Sequence, residues 1–132
     1  MSQREIDELY EDLRRRAKRL LEREPIDKID ADFARAKAQY NTGNIRGGIA
    51  LKDDALGRLR DYIGEIDDVQ CGLNVLAERG DAAAFVRRTR AACTGLKAES
   101  AQLLTTLKDQ WQTNAWAYRA NCGGNDFQFG SV

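Results

Sequence analysis

The sequence predicts an all-α protein, an antiparallel bundle of three to four helices built on a long coiled-coil-like hairpin. Two features of the 132-residue chain carry this reading. Apolar residues recur in steps of three, four and seven at Ile49, Leu56, Leu59, Ile63, Ile66, Leu73 and Leu76. They recur again at Phe85, Val86, Leu96, Leu103, Leu107, Trp111 and Tyr118, so each series is a stripe along a helix rather than a strand. A single proline, Pro25, interrupts the chain, and so few prolines are themselves a helical signature.

The first helix opens on Ser2-Gln3-Arg4-Glu5, a capping box in which hydroxyl and carboxylate each serve the other's free backbone amide. Ile6, Leu9, Leu13, Ala17 and Leu20 form its stripe, flanked by Tyr10 and Leu21. Glu11 precedes Arg15, and Asp12 precedes Arg16, by the four residues that suit exposed helical ion pairs. The helix is expected to stop before Pro25, since a residue preceding proline is pushed out of the α region. Asp27 or Asp30 is the expected cap of a second helix, on which Ile29, Phe33, Ala36 and Tyr40 share a face. Asn41-Thr42-Gly43-Asn44 reads as a break.

The stretch around Tyr40, Gly43-Asn44, Ile49 and Ala55-Leu56 resembles one tetratricopeptide unit. No second copy follows at that period, and a lone unit cannot bury its own face, so the likeness is set aside.

The third helix is expected to begin between Asn44 and Ile49, because Gly47-Gly48 weakens an earlier start, and to end near Gly80. At about 30 to 35 residues it would reach roughly 50 Å. Asp81 begins a fourth helix of similar length, ending near Asn121. Small residues repeat every seventh position on both, Ala50, Gly57, Gly64 and Cys71 facing Ala84, Ala91, Ala98 and Thr105. Pairing Cys71 with Ala91, Gly64 with Ala98 and Gly57 with Thr105 gives a constant antiparallel register and room for close helix approach, the equal alternative being that Gly57 and Gly64 mark kinks or solvent-facing positions. The same register sets Asp61, Glu65, Asp67 and Asp68 against Arg87, Arg88, Arg90 and Lys97. Residues 1–121 are therefore expected to form one helical-bundle domain. Residues 122–132 are expected to form a flexible or docking tail, with a Gly-rich turn and then Phe127 and Phe129 on one side of a short extended piece.

Composition excludes several kinds of chemistry. Twenty-one basic and twenty-one acidic residues cancel, so no global field draws the chain to nucleic acid or an anionic membrane. No histidine occurs, which removes most catalytic triads and the histidine-bearing zinc and carboxylate-bridged metal sites. The acidic group at Asp53, Asp54, Asp61, Glu65, Asp67 and Asp68 lacks the alternating ligands and glycine turn of a calcium loop, and reads as a solvated helix face. Cys71, Cys93 and Cys122 are odd in number and lack C-x-x-C spacing, so free thiols are expected, Cys71 and Cys93 buried and Cys122 exposed. No apolar run nears the ~20 residues a bilayer span needs, and the opening residues are charged rather than signal-like. Cytoplasmic residence is the expectation, with no catalytic residue, cofactor or metal.

Two short motifs take bland readings. Arg79-Gly80-Asp81 matches the integrin-binding tripeptide but sits where a helix turn is expected. The basic run Arg14-Arg15-Arg16 with Lys18 and Arg19 shares its helix with Glu5, Asp7, Glu8, Glu11 and Asp12, and lacks stacking aromatics. Nucleic-acid association through this run is the weaker alternative.

The aromatic C-terminal end is the feature left over. Trp111, Trp116, Tyr118, Phe127 and Phe129 place five of the ten aromatic residues within nineteen positions, and such side chains are favoured interface anchors. The expected function is a non-enzymatic interaction module (a small adaptor, secretion-type chaperone or inhibitor) binding one protein partner through these five residues. The principal alternative is self-assembly, as a homodimer or larger bundle, through the same stripes.

Overall fold

A computed structural model describes residues 1–122, and these form four α-helices. They are α1 (Gln3–Leu21), α2 (Glu24–Asn41), α3 (Ile45–Arg79) and α4 (Ala83–Cys122). Among the described residues there is no strand, and the all-α bundle built on a long hairpin is the fold observed. The tail from 123, including Phe127 and Phe129, lies outside the described residues.

Contacts divide the chain into two compact units. The first joins Met1–Pro25 to Asp61–Ala101, and the second joins Ile26–Arg60 to the chain from Gln102. Each is thus a three-helix packing, with α3 and α4 each lending one part to either unit.

In the first unit, α1 starts as its capping residues dictate, the Glu5 N–H donating to Ser2 Oγ at 3.2 Å. Ile6, Leu13, Ala17 and Leu20 are buried, as are Ile66, Val69, Leu73 and Leu76 of α3 and Val86, Cys93 and Leu96 of α4 in the same unit. Leu13 lies so close to α3 that a Cβ on Gly72 would meet its methyl at 2.6 Å. Arg16 grips Glu65 with two hydrogen bonds of 2.8 and 3.0 Å. That bidentate bond lowers the Glu65 carboxyl pKa and raises that of the guanidinium. The Tyr62 hydroxyl donates to the Leu20 carbonyl, satisfying one of the acceptors left open where α1 ends.

Two local expectations are corrected here. Neither Asp27 nor Asp30 caps α2, which begins at Glu24 with Pro25 in its first turn. There a missing N–H costs no helical bond, and the ring's fixed φ suits the helix. Glu11 pairs with Arg14 at 3.0 Å, not with Arg15, which reaches Asp12 instead. Asp12 also meets Arg16 at 3.7 Å as expected.

Glycine ends two helices. Gly80 has φ +71°, its N–H bonds to Ala77 O, and the Asp81 N–H bonds back to Leu76 O at 3.1 Å. Gly43, at φ +97°, closes α2 in the same way. Arg79-Gly80-Asp81 is therefore the C-terminal cap of α3. The next residue is less well chosen. Ala82 sits at φ +50° while its carbonyl accepts the first α4 bond from Val86 N. A side chain in the left-handed region costs about 1 kcal/mol, so Ala82→Gly is expected to raise stability by about that amount, less a few tenths for the freer unfolded chain. The readout is a higher urea midpoint at unchanged slope, and an unmoved midpoint would show that this backbone carries no strain.

The hairpin register differs from the expected one. Asp67 pairs with Lys97 at 2.6 Å, Gln70 Nε2 donates to Thr94 at 3.4 Å, and Arg90 donates to Asn74 at 2.7 Å. These contacts lie two residues further along α4 than pairing through the small-residue columns requires. The columns face outward: Ala50, Gly64, Cys71, Ala84, Ala91, Ala98 and Thr105 are all exposed. A Cβ on Gly57 or Gly64 would meet nothing within 4 Å. Of the acids expected opposite the α4 cations only Asp67 finds one, because Glu65 and Asp68 both reach Arg16 of α1.

Candidate partner-binding site

The second unit holds the aromatic end. From α2, Phe33 and Tyr40 point to the segment of α4 that carries Trp111, Ala115 and Tyr118. The Trp111 ring meets Phe33 edge-on at 6.0 Å between centroids and Tyr40 at 5.1 Å, and Tyr40 meets Tyr118 at 5.2 Å. Leu56 and Leu59 of α3 and Leu107 of α4 complete this core. Reciprocal side-chain hydrogen bonds of 3.0 and 3.1 Å join Asn41 to Asn114 at its edge.

These contacts sort the residues expected to bind a partner. Trp111 is fully buried, so it is a core residue and no surface anchor. The reason is its position four residues after Leu107 and four before Ala115, in the middle of the buried stripe. Tyr118, seven residues after Trp111, is half-buried against Tyr40. Trp116 falls off the stripe and is 63% exposed, with the Arg119 guanidinium 5.8 Å from its ring centroid. The structure thus brings Trp111 and Tyr118 together around Tyr40 and turns Trp116 outward. Phe127 and Phe129 lie outside the described residues.

One participant escaped the sequence reading. Lys52 is buried, with its ammonium 2.6 Å from Asp53 and 5.5 Å from the Trp111 centroid. A signal existed, since Lys52 stands seven residues after Ile45, four before Leu56 and seven before Leu59. Among the described residues, the side-chain polar atoms Tyr40 Oη, Trp111 Nε1 and Ser100 Oγ are buried without a hydrogen-bond partner. Burial raises the Tyr40 hydroxyl pKa above its usual value.

Several other charged groups are paired. Arg14, Arg15 and Arg16 pair with Glu11, Asp12 and Glu65, so three of the five cations of that run are compensated within the protein. Asp54 pairs with Arg58, which also holds Asp32 at 2.6 Å. That bond holds the Asp32 carboxyl below its usual pKa. Among the described residues no three His, Cys, Asp or Glu side chains gather to hold a metal ion. No described helix is long and apolar enough to cross a membrane. Cys71 and Cys93 are free thiols, Cys93 buried with its pKa raised by desolvation. Cys71 is exposed, contrary to the expected burial, because it belongs to the outward column. Cys122 is the last residue of α4 rather than part of a turn.

Compared with protein-family profiles, with curated proteins and with solved structures, the chain gives no significant match.

Proposed function

We propose that this chain is a non-enzymatic interaction module that binds one protein partner through its C-terminal aromatic end. The observation that supports this is the exposure of Trp116 on a helix that buries its other tryptophan. Tryptophan and arginine are the residues most enriched among energetic anchors of interfaces, and Trp116 and Arg119 stand together one turn apart. Phe127 and Phe129 are also counted among the contact residues in this reading. An adaptor, chaperone or inhibitor fits a chain without histidine or a metal-ligand cluster among its described residues. The free thiols of Cys71 and Cys93 suit a reducing compartment such as the cytoplasm.

Trp116→Ala is the test. Removing an exposed side chain is expected to leave stability within about 0.5 kcal/mol. Loss of a well-seated tryptophan from an interface costs about 2 kcal/mol or more, so a partner captured stoichiometrically by the native chain should be depleted about thirtyfold by the variant. Equal retention of the same proteins by both chains would reject the aromatic end as the contact. Sedimentation of the purified chain covers self-assembly: a concentration-independent dimer abolished by Trp116→Ala would mean that the partner is a second copy.

A further inference from the structure

The first unit carries an open groove of about 730 Å³ at the hairpin tip. Its floor is apolar and shallow, made by Ala77 of α3 and Ala83, Val86 and Ala91 of α4. Arg87 and Arg90 stand along its α4 edge. It lies on the side of the hairpin away from α1, since Gly72, close to Leu13, and Phe85, edge-on to Tyr10 at 5.1 Å, are among the residues that meet α1, while buried Val86 is shared between the core and the groove. Gly72 and Ala77, like Phe85 and Arg87, point to different sides of their helices at 3.6 residues per turn. The unit is a three-helix packing with one open position.

Charge says what suits that position. Arg87 makes no ion pair among the described residues, and Arg90 bonds only to the neutral amide of Asn74. Asp81 is the single acid lining the groove. Arg87 and Arg90, three residues apart on one exposed face of α4, repel each other, since like charges at that spacing are unfavourable. Anionic side chains set against them would relieve that repulsion. A two-fold contact between copies would instead bring Arg87 and Arg90 close to their own equivalents, which disfavours a second copy.

We infer that this groove receives an acidic amphipathic helix from another protein, which completes a four-helix packing around the hairpin tip. Alanines at 77, 83 and 91 let a helix approach at the short end of the usual 8–10 Å range. The groove extends from Ala83 to Thr94, so the occupant contributes about three turns, with glutamates or aspartates three or four residues apart along the edge facing Arg87 and Arg90. This surface belongs to the other unit from Trp116 and does not rest on the aromatic-end reading.

The probe is a stapled 14-residue helical peptide with alanine and leucine on one face and glutamates flanking it, compared with the same peptide carrying lysines. Binding to the full chain is followed by fluorescence anisotropy. The acidic peptide is expected to bind and the lysine peptide not to. Arg87→Glu with Arg90→Glu is expected to weaken the acidic peptide about tenfold or more, and Ala91→Gln to weaken it by filling the floor. Both positions are exposed and make no ion pair, so the double variant is expected to melt close to the native chain. Arg87→Gln with Arg90→Gln supplies an intermediate loss. Trp116→Ala is expected to leave this binding unchanged, which separates the two surfaces. Equal binding of both peptides, indifference to the arginine variants, a dimer abolished by Arg87→Glu, or duplex DNA bound through the same arginines would each overturn the inference.

Discussion

Trp111→Ala is expected to destabilise the protein by about 4 kcal/mol, within the usual range for deleting a buried aromatic ring. The side chain is fully buried, and its removal strips contacts from Phe33 and Tyr40 together. It also takes the aromatic face from the buried ammonium of Lys52, which stands 2.6 Å from Asp53. Relief of the unpaired indole N–H offsets a small part of the loss. Against a total stability of about 5–15 kcal/mol for an ordinary domain, much of the folded population would be at risk. Urea unfolding followed by circular dichroism measures it. A cost below about 1 kcal/mol would show that this ring is not packed as described. The opposite behaviour of Trp116→Ala is what distinguishes a core ring from a surface one.

Gly48→Ala should cost about 3 kcal/mol, reversing the usual benefit of about 1 kcal/mol for replacing a helical glycine with alanine. A Cβ at position 48 would lie 2.8 Å from both the backbone nitrogen and the Cβ of Tyr40, and 2.9 Å from the Ala36 carbonyl oxygen. Two of these three atoms are backbone and cannot swing aside, so α2 and α3 must separate for the methyl to enter. Gly57→Ala and Gly64→Ala provide the control, because a Cβ there meets nothing within 4 Å. Each is expected to stabilise by about 1 kcal/mol from helix propensity alone. If all three substitutions move the unfolding midpoint alike, the close approach of α2 and α3 at Gly48 is wrong.

The helices themselves were legible because their apolar stripes repeat over many turns. Ser2 and Glu5 marked the start of α1, and Gly43 and Gly80 marked the ends of α2 and α3. What misled was the meaning of glycine inside a helix. A heptad column through Gly57 and Gly64 has the spacing of a contact, yet spacing says only that residues share a face, not whether that face is inward. The glycines that permit close approach, Gly48 and Gly72, belong to no column and meet α2 and α1 rather than α4. Charge pairing failed for a related reason. Glu65 and Asp68 were read against one neighbouring helix, and α1 supplies Arg16 as a second one. The site divided along the same line. Periodicity already placed Trp111 and Tyr118 on the stripe and Trp116 off it, while the burial of Lys52 was hidden by its charge.

The short connections of this chain also bear on the order in which it folds. Thr42–Asn44 lets α2 and α3 meet as chain neighbours, and Gly80–Ala82 does the same for α3 and α4. The contacts that complete each unit are far longer in sequence, 49 residues from Arg16 to Glu65 and 73 from Asn41 to Asn114. Closing a long loop is entropically slower to repay than closing a short one. Both quick pairings include α3, one at each of its ends. Chain connectivity thus gives this helix the role of seed, with α1 and the later part of α4 as the pieces that must search for it.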